Sequence, residues 1–282
     1  MNDGFIFVDK EKEITSFQVC NKIKWKLKLD KTGHNGTLDP NATGMMIVAT
    51  NKATKLMKYI NEHNKEYIAT IAFGKRSETL DFDSEVLDGK LNKFNEVELL
   101  NAISKLKEEK FQLPPMTSAI KVNGKKLYEY QRQGIEVEVE KREININDIE
   151  LMSFDEAHYE CEIRLNVSKG FYVRSFARDL GILLNSDAII KELRRTKIEN
   201  YDVSNAKKLD DISLDDIIKI EDFFNFPKIE VNEYIAKLVK NGVTLDERQT
   251  TIGGIFFVVN NCDIIAIYEE IEKNIYKPVL IF

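Results

Sequence analysis

Cysteine, histidine and proline are all scarce in this chain of 282 residues, which holds 3, 3 and 5 of them respectively. Cys20, Cys161 and Cys262 are odd in number and far apart, which argues against a disulfide framework and against a cysteine-based zinc site. They read as small buried hydrophobes in a reducing compartment. His34, His63 and His158 share no ligand spacing, so no metal centre is expected. With 43% hydrophobic and 31% charged residues and so few prolines, the composition is that of a globular chain and not a disordered one. No apolar run approaches the roughly 20 residues of a membrane-spanning helix. The opening MNDGFIFVDK carries no basic leader with a long apolar stretch and cleavage site, so a cytoplasmic protein without membrane association is expected.

A surplus of positive charge is also missing. The net charge is −6, which at first argues against a nucleic-acid partner. Its distribution is uneven: from Glu199 onward 9 basic residues face 16 acidic ones, while Met1–Ile198 holds 32 against 31. Basic residues in the first part cluster at Lys22, Lys24, Lys26 and Lys28, at Lys121, Lys125 and Lys126, and at Arg194, Arg195 and Lys197. Local patches, not net charge, attract phosphates, although each cluster taken alone also reads as a solvated face.

Along the chain, Gly4–Val8 reads as a short buried strand. Thr15 and Ser16 offer helix caps before Phe17, Cys20, Ile23 and Leu27 at helical spacing. A glycine-bearing loop from Lys31 to Gly44 leads into an apolar strand, Met45–Ala49. Lys52–Ile60 reads as helix, Glu66–Phe73 as strand and the acidic stretch Lys75–Lys90 as loop. Val97–Leu106 is an amphipathic helix with Leu99, Leu100, Ile103 and Leu106 on one side. A candidate strand at Ser118–Val122 precedes the tight-turn dipeptide Asn123-Gly124. Strands follow at Ile144–Met152 and Tyr159–Val167, then a helix at Phe171–Leu184. Strands mixed irregularly with helices predict an α+β fold with a mixed sheet. The pattern resets near Pro227: a helix at Val231–Val239, the turn Asn241-Gly242, and strands at Ile255–Val259, Ile264–Tyr268 and Pro278–Phe282. The expected domains are therefore residues 1–226 and a small β-rich unit, 227–282.

The densest stretch is Gly33-His34-Asn35-Gly36-Thr37-Leu38-Asp39-Pro40-Asn41-Ala42-Thr43-Gly44. Three glycines allow backbone paths and close approaches that other residues forbid, and an Asp before a Pro is biased to extended geometry. Such a loop fixes a carboxylate at a cleft rim, or it is a structural turn with a capping Asp; residue chemistry alone leaves both open. A phosphate-binding loop is a poor match, because both the Lys-Ser/Thr signature and the Gly-x-Gly-x-x-Gly spacing are missing.

This stretch closely resembles the catalytic motif of the TruB family of tRNA pseudouridine synthases. Further blocks stand in that family's order: Lys65-Glu66-Tyr67, Pro115 with Ser118-Ala119-Ile120-Lys121, Gly124 to Glu129, Ser168 to Arg174, Asp179-Leu180-Gly181 and Leu193 to Thr196. The resemblance covers about Gly4 to Tyr201 and is looser beyond. It implies a mainly antiparallel catalytic sheet of the pseudouridine synthase type with a small PUA-like C-terminal domain. The implied reaction turns uridine 55 of the tRNA T loop into pseudouridine by base flipping, without cofactor or metal.

The implied roles are these. Asp39 is the nucleophile, since an ionised carboxylate attacks at neutral pH without a separate base. Tyr67 stacks on the flipped base, and Arg174 pairs with Asp39. His34 fills space vacated by the target, while Tyr172 and Leu193 shape the pocket. Gly36 and Thr37 line the substrate site. Lys121, Lys125, Lys126 and Lys169 contact backbone phosphates.

Some positions depart from the family pattern. Lys10 is followed by Glu11 where Pro is usual, and Glu13 replaces a Gly. Glu78 and Ser84 stand for Asp and Gly in the acidic loop, and Glu199-Asn200-Tyr201 replaces Gly-Pro-Phe. None touches Asp39, Tyr67 or Arg174. The expected enzyme is a stand-alone monomer with tRNA as its partner. Two other readings stay open: a tRNA-folding chaperone, and an RNA-guided subunit with protein partners, which the acidic C-terminal part disfavours.

Overall fold

A computed structural model describes residues 2–135 and 137–282. Its centre is a ten-stranded sheet whose shape follows from which residues are covered on both sides. In β1 (Gly4–Lys10) and β3 (Thr43–Thr50) successive side chains point to opposite faces. Ile6, Val8, Met46 and Val48 enter one core, and Phe5, Met45, Ile47 and Ala49 enter another. Both faces are covered, so β3 reads in sequence as an unbroken apolar run instead of an alternation.

The sheet's main path runs Ile146–Asp155, Glu160–Ser168, β4 (Asn64–Phe73), Ala188–Ile198, β3, β1, Lys207–Lys208. Its pairings are antiparallel except where Ala188–Ile198 joins β3 and where Lys207–Lys208 joins β1. The expected mixed, mainly antiparallel α+β architecture is therefore present. The first core is closed by helix α1 (Ser16–Lys26), helix α2 (Glu96–Lys107) and the helix Val173–Leu183. Capping boxes start two of these: Thr15 with Gln18, and Asn95 with Glu98. The second core joins the back of the sheet to the C-terminal strands through Phe224, Phe257, Ile267 and Leu280. Those strands form a five-stranded sheet ordered Lys228–Glu230, Ile255–Asn260, Asp263–Glu272, Ile275–Ile281, Leu245–Asp246, with the helix Glu233–Lys240 against it.

Several expectations need correction. Phe17 is 69% exposed, and Val19 takes the buried place on α1; Leu100 is likewise exposed on α2, where Ala102 is buried. The loop Lys31–Gly44 contains a strand, β2 (Thr32–Asn35), paired with β3. Lys75–Arg76 and Leu87–Asp88 form a short ladder inside the expected acidic loop. Residues 51–59 form a 3₁₀ helix, and the strand expected at Ser118–Val122 shrinks to Lys121–Val122. Cys262 is exposed in a turn, not buried. No strand is expected from the sequence at Ala188–Ile198, although it lies at the middle of the sheet. Its two register shifts, between Ile190 and Glu192 and between Arg195 and Lys197, break the period-2 pattern.

Candidate active site

The backbone on both sides of Asp39 is fixed by buried side chains. The buried Ser16 hydroxyl, first residue of α1, donates to the Leu38 carbonyl at 3.0 Å and accepts from the Leu38 N–H at 2.9 Å. On the other side the Lys10 ammonium donates to the carbonyls of Pro40 (2.9 Å), Ala42 (2.6 Å) and Glu11 (2.9 Å). Lys10 is 1% exposed, and burial lowers its pKa to about 8, with the Asp39 and Asp83 carboxylates opposing the shift. Three carbonyl acceptors satisfy what burial would otherwise leave unpaired. Gly44 ends the loop at φ 106, where a Cβ would lie 2.2 Å from the Arg195 carbonyl oxygen. Only glycine lets β3 pass the strand Ala188–Ile198 this closely.

The Asp39 carboxylate faces Arg174, in the first turn of the helix Val173–Leu183 and 6% exposed. Arg174 Nε lies 3.0 Å from Asp39 Oδ2 and 3.6 Å from Asp81 Oδ2. Its Nη1 donates to the Thr79 carbonyl and the Thr117 hydroxyl, and its Nη2 to the Thr117 carbonyl and Asp39 Oδ1. The guanidinium is thereby fixed at every nitrogen, as a planar fork allows and an ammonium does not. Burial raises the Asp39 carboxyl above the ordinary carboxylate range, with Asp81 adding to the shift and Arg174 and Lys10 opposing it. Asp39 keeps 36% of its side-chain surface open, so the group is desolvated yet reachable. Asp83, exposed at the rim, is pushed up to about 6 by partial burial of its carboxyl and by Asp81 and Asp39.

Asp39 and Arg174 open into a cavity of about 620 Å³. Tyr67, Tyr172, Leu193, Gly36, Thr37 and Lys169 line the same cavity, so most of the expected site residues converge there. Tyr67 projects from β4 and is 8% exposed. Tyr172 is placed by the Gln112 side chain, which accepts from its N–H at 2.8 Å and donates to its carbonyl at 3.1 Å. Lys169 is paired with the buried Glu62, which also meets Lys65 at 3.4 Å.

Four expected residues lie elsewhere. Lys121, Lys125 and Lys126 stand on the hairpin around Asn123-Gly124, whose φ values of 50 and 83 make the turn. That hairpin adjoins Tyr128, which does line the cavity. His34 sits on β2 opposite Val48, outside the cavity lining, and burial followed by Arg195 lowers its pKa. The sequence alone assigns no role at the site to Lys10, Asp81 or Thr117, and reads Ser16 only as a helix cap. Lys10 and Asp81 stand inside blocks that depart from the family pattern; Ser16 bonds to backbone and Thr117 offers its hydroxyl and carbonyl to Arg174, contacts that leave no signature.

The model of the TruB family pseudouridylate synthase N-terminal domain matches residues 24–173. The chain is similar to tRNA pseudouridine synthase B of Aster yellows witches'-broom phytoplasma, 38% identical over 98% of each chain. It is similar also to that of Clostridium tetani, 37% identical over 95% of this chain and 92% of the relative, and to that of Acholeplasma laidlawii, 36% identical over 99% and 100%. Among solved structures, the fold is shared with the crystal structure of a Cbf5-Nop10-Gar1 complex (TM-score 0.67, 22% identity, 96% of this chain and 79% of that one). It is shared equally with an H/ACA RNP bound to a substrate RNA containing 2'-deoxyuridine (TM-score 0.67, 21% identity, 99% and 84%).

Proposed function

The chain belongs to the TruB family of pseudouridylate synthases, and from that premise we propose that it isomerises uridine 55 of the tRNA T loop, with Asp39 as nucleophile. The observation that carries this reading is the Asp39 carboxylate, clamped by Arg174 and opening into the cavity that Tyr67 lines. A base inside a folded loop is out of reach until it is flipped, at a few kcal/mol. Stacking on Tyr67, worth about 1–3 kcal/mol, offsets that cost. Asp39 then attacks the flipped nucleotide, at the ribose or at the base, and the bond it forms is broken again before the product leaves, which restores the carboxylate. The bond from C1′ to N1 breaks, the uracil turns, and C5 joins C1′. C5 loses its proton beside Tyr67 and N1 gains one, so substrate and product have the same atoms.

Arg174 aims Asp39 and opposes the burial that favours its protonated form, while Tyr172, Leu193, Gly36 and Thr37 bound the pocket. Lys169, Lys121, Lys125 and Lys126 meet phosphates around it, and His34 supports the flipped-out RNA loop by occupying space that the target vacates. The enzyme acts alone as a monomer in the cytoplasm, residues 1–226 carrying the chemistry and 227–282 forming a smaller unit at its back. Purified protein incubated with an unmodified tRNA transcript and no additive tests this. One new pseudouridine, in the T loop, is expected; none, or one in another arm, contradicts it.

A further inference from the structure

Helix α1 presents an unusual outer face. Its buried side is Ser16, Val19, Cys20 and Ile23, an arc of about 100° at the 3.6-residue period. Of the rest, Asn21 and Lys24 are half-buried and the others exposed. Phe17 is 69% exposed and Trp25 is 75% exposed, and Trp25 is the chain's single tryptophan. Lys22 and Lys24 flank Trp25 on the helix surface, and the Lys24 ammonium lies 5.5 Å from the indole centroid. Lys28 follows just past the helix end. Lys26 is already engaged with the carbonyls of Leu209 and Asp210. The helix carries no acidic residue, in a chain with 47 of them.

Two aromatic rings left in water beside uncompensated lysines match one partner chemistry: stacked bases on a phosphate backbone. The position of α1 agrees. Its first residue, Ser16, is bonded to Leu38 beside Asp39, and Trp25 lies nine residues further along, about 14 Å away. An RNA whose uridine reaches Asp39 extends further than that in either direction. We propose that the outer face of α1 is a second RNA-contact surface, on which Trp25 and Phe17 stack bases and Lys22, Lys24 and Lys28 meet phosphates of the same tRNA. This rests on tRNA being the substrate.

Trp25 fluorescence is its own reporter. Unmodified tRNA transcript titrated into the wild-type protein should quench that emission along the same curve as binding followed by filter retention. Phe17→Ala/Trp25→Ala should bind the transcript roughly tenfold more weakly, about one stacked base, with an unchanged single-turnover rate at saturating enzyme. Lys22→Ala/Lys24→Ala should lower the log–log salt slope by about 0.7 to 0.9 for each phosphate that is no longer neutralised. Four outcomes overturn the proposal: unchanged emission on binding, wild-type affinity in both variants, an unchanged salt slope in the lysine variant, or emission that responds to anionic lipid vesicles and not to tRNA. Failure of the underlying reading looks different, since wild-type protein would then neither bind nor isomerise the transcript.

Discussion

Arg174 grips Asp39 along one edge, Nε to Oδ2 at 3.0 Å and Nη2 to Oδ1 at 3.4 Å, while its other bonds go to Asp81, Thr79 and Thr117. The guanidinium is thus a strut between three loops, and its charge is delivered at one orientation. Arg174→Lys keeps the charge and loses the fork. Single-turnover isomerisation should fall at least about 100-fold, roughly 2.7 kcal/mol of barrier, while tRNA affinity changes less than about threefold. A variant within tenfold of wild type would show that charge alone suffices.

Tyr67 is given two tasks, stacking and closeness to the departing proton, and two substitutions separate them. Tyr67→Phe should keep tRNA affinity and lose single-turnover rate. Tyr67→Leu should lose both, with affinity weaker by about 1 kcal/mol or more. Equal rates for Tyr67→Phe and wild type would remove the phenol from the proton step.

The pH dependence follows from the raised carboxyls. A nucleophile with a raised pKa is protonated, and inactive, below that pKa, so single-turnover rate should fall as pH drops through it. Asp83→Asn removes a neighbouring negative charge and should move this acid limb to lower pH. The same group bears on stability. Its folded pKa of about 6 stands above the ordinary value of 3.8, so the folded state binds more protons between those values and loses stability as pH rises through them. Asp83→Asn should therefore raise the melting temperature slightly at pH 7, the gain shrinking toward pH 4. Solvent at the rim keeps the effect small. A limb that moves upward would contradict the assignment.

Gly44→Ala tests the close crossing behind the loop. The added Cβ would meet the Arg195 carbonyl at 2.2 Å at a φ of 106, and backbone on both sides has nowhere to go. A loss of at least about 3 kcal/mol of folding stability by denaturant melt is expected; a loss under about 1 kcal/mol would mean that the two strands part easily.

What the sequence disclosed and what it hid divide along one line. Asp39, Tyr67 and Arg174 were singled out through the resemblance of their blocks to the TruB family, and the strands β1, β3 and β4 through their clean apolar patterns. The strand Ala188–Ile198 was not: its Glu-Leu-Arg-Arg-Thr-Lys run looks like a solvated segment, yet Arg195 is 1% exposed. Arg195 is accommodated by donating to the carbonyls of Met45 and Gly36, acceptors that any residue supplies. Lys10 is hidden in the same way, and so is Ser16. Buried polar groups satisfied by backbone leave no periodic trace. The expected phosphate contacts divide by place: Lys169 lines the cavity, whereas Lys121, Lys125 and Lys126 stand beside it.

Asp39→Asn puts the nucleophile itself to the test, assayed by single-turnover isomerisation of an unmodified tRNA transcript with a thermal melt alongside. The amide keeps the size and most hydrogen bonds of the carboxylate and removes the anion that attacks. Rate should drop to background while tRNA binding stays level or tightens, because a carboxylate facing a polyanion is unfavourable before reaction begins. A folded Asp39→Asn protein that retains a tenth of the wild-type rate, about 1.4 kcal/mol of barrier, would show that Asp39 is structural and that the nucleophile lies elsewhere.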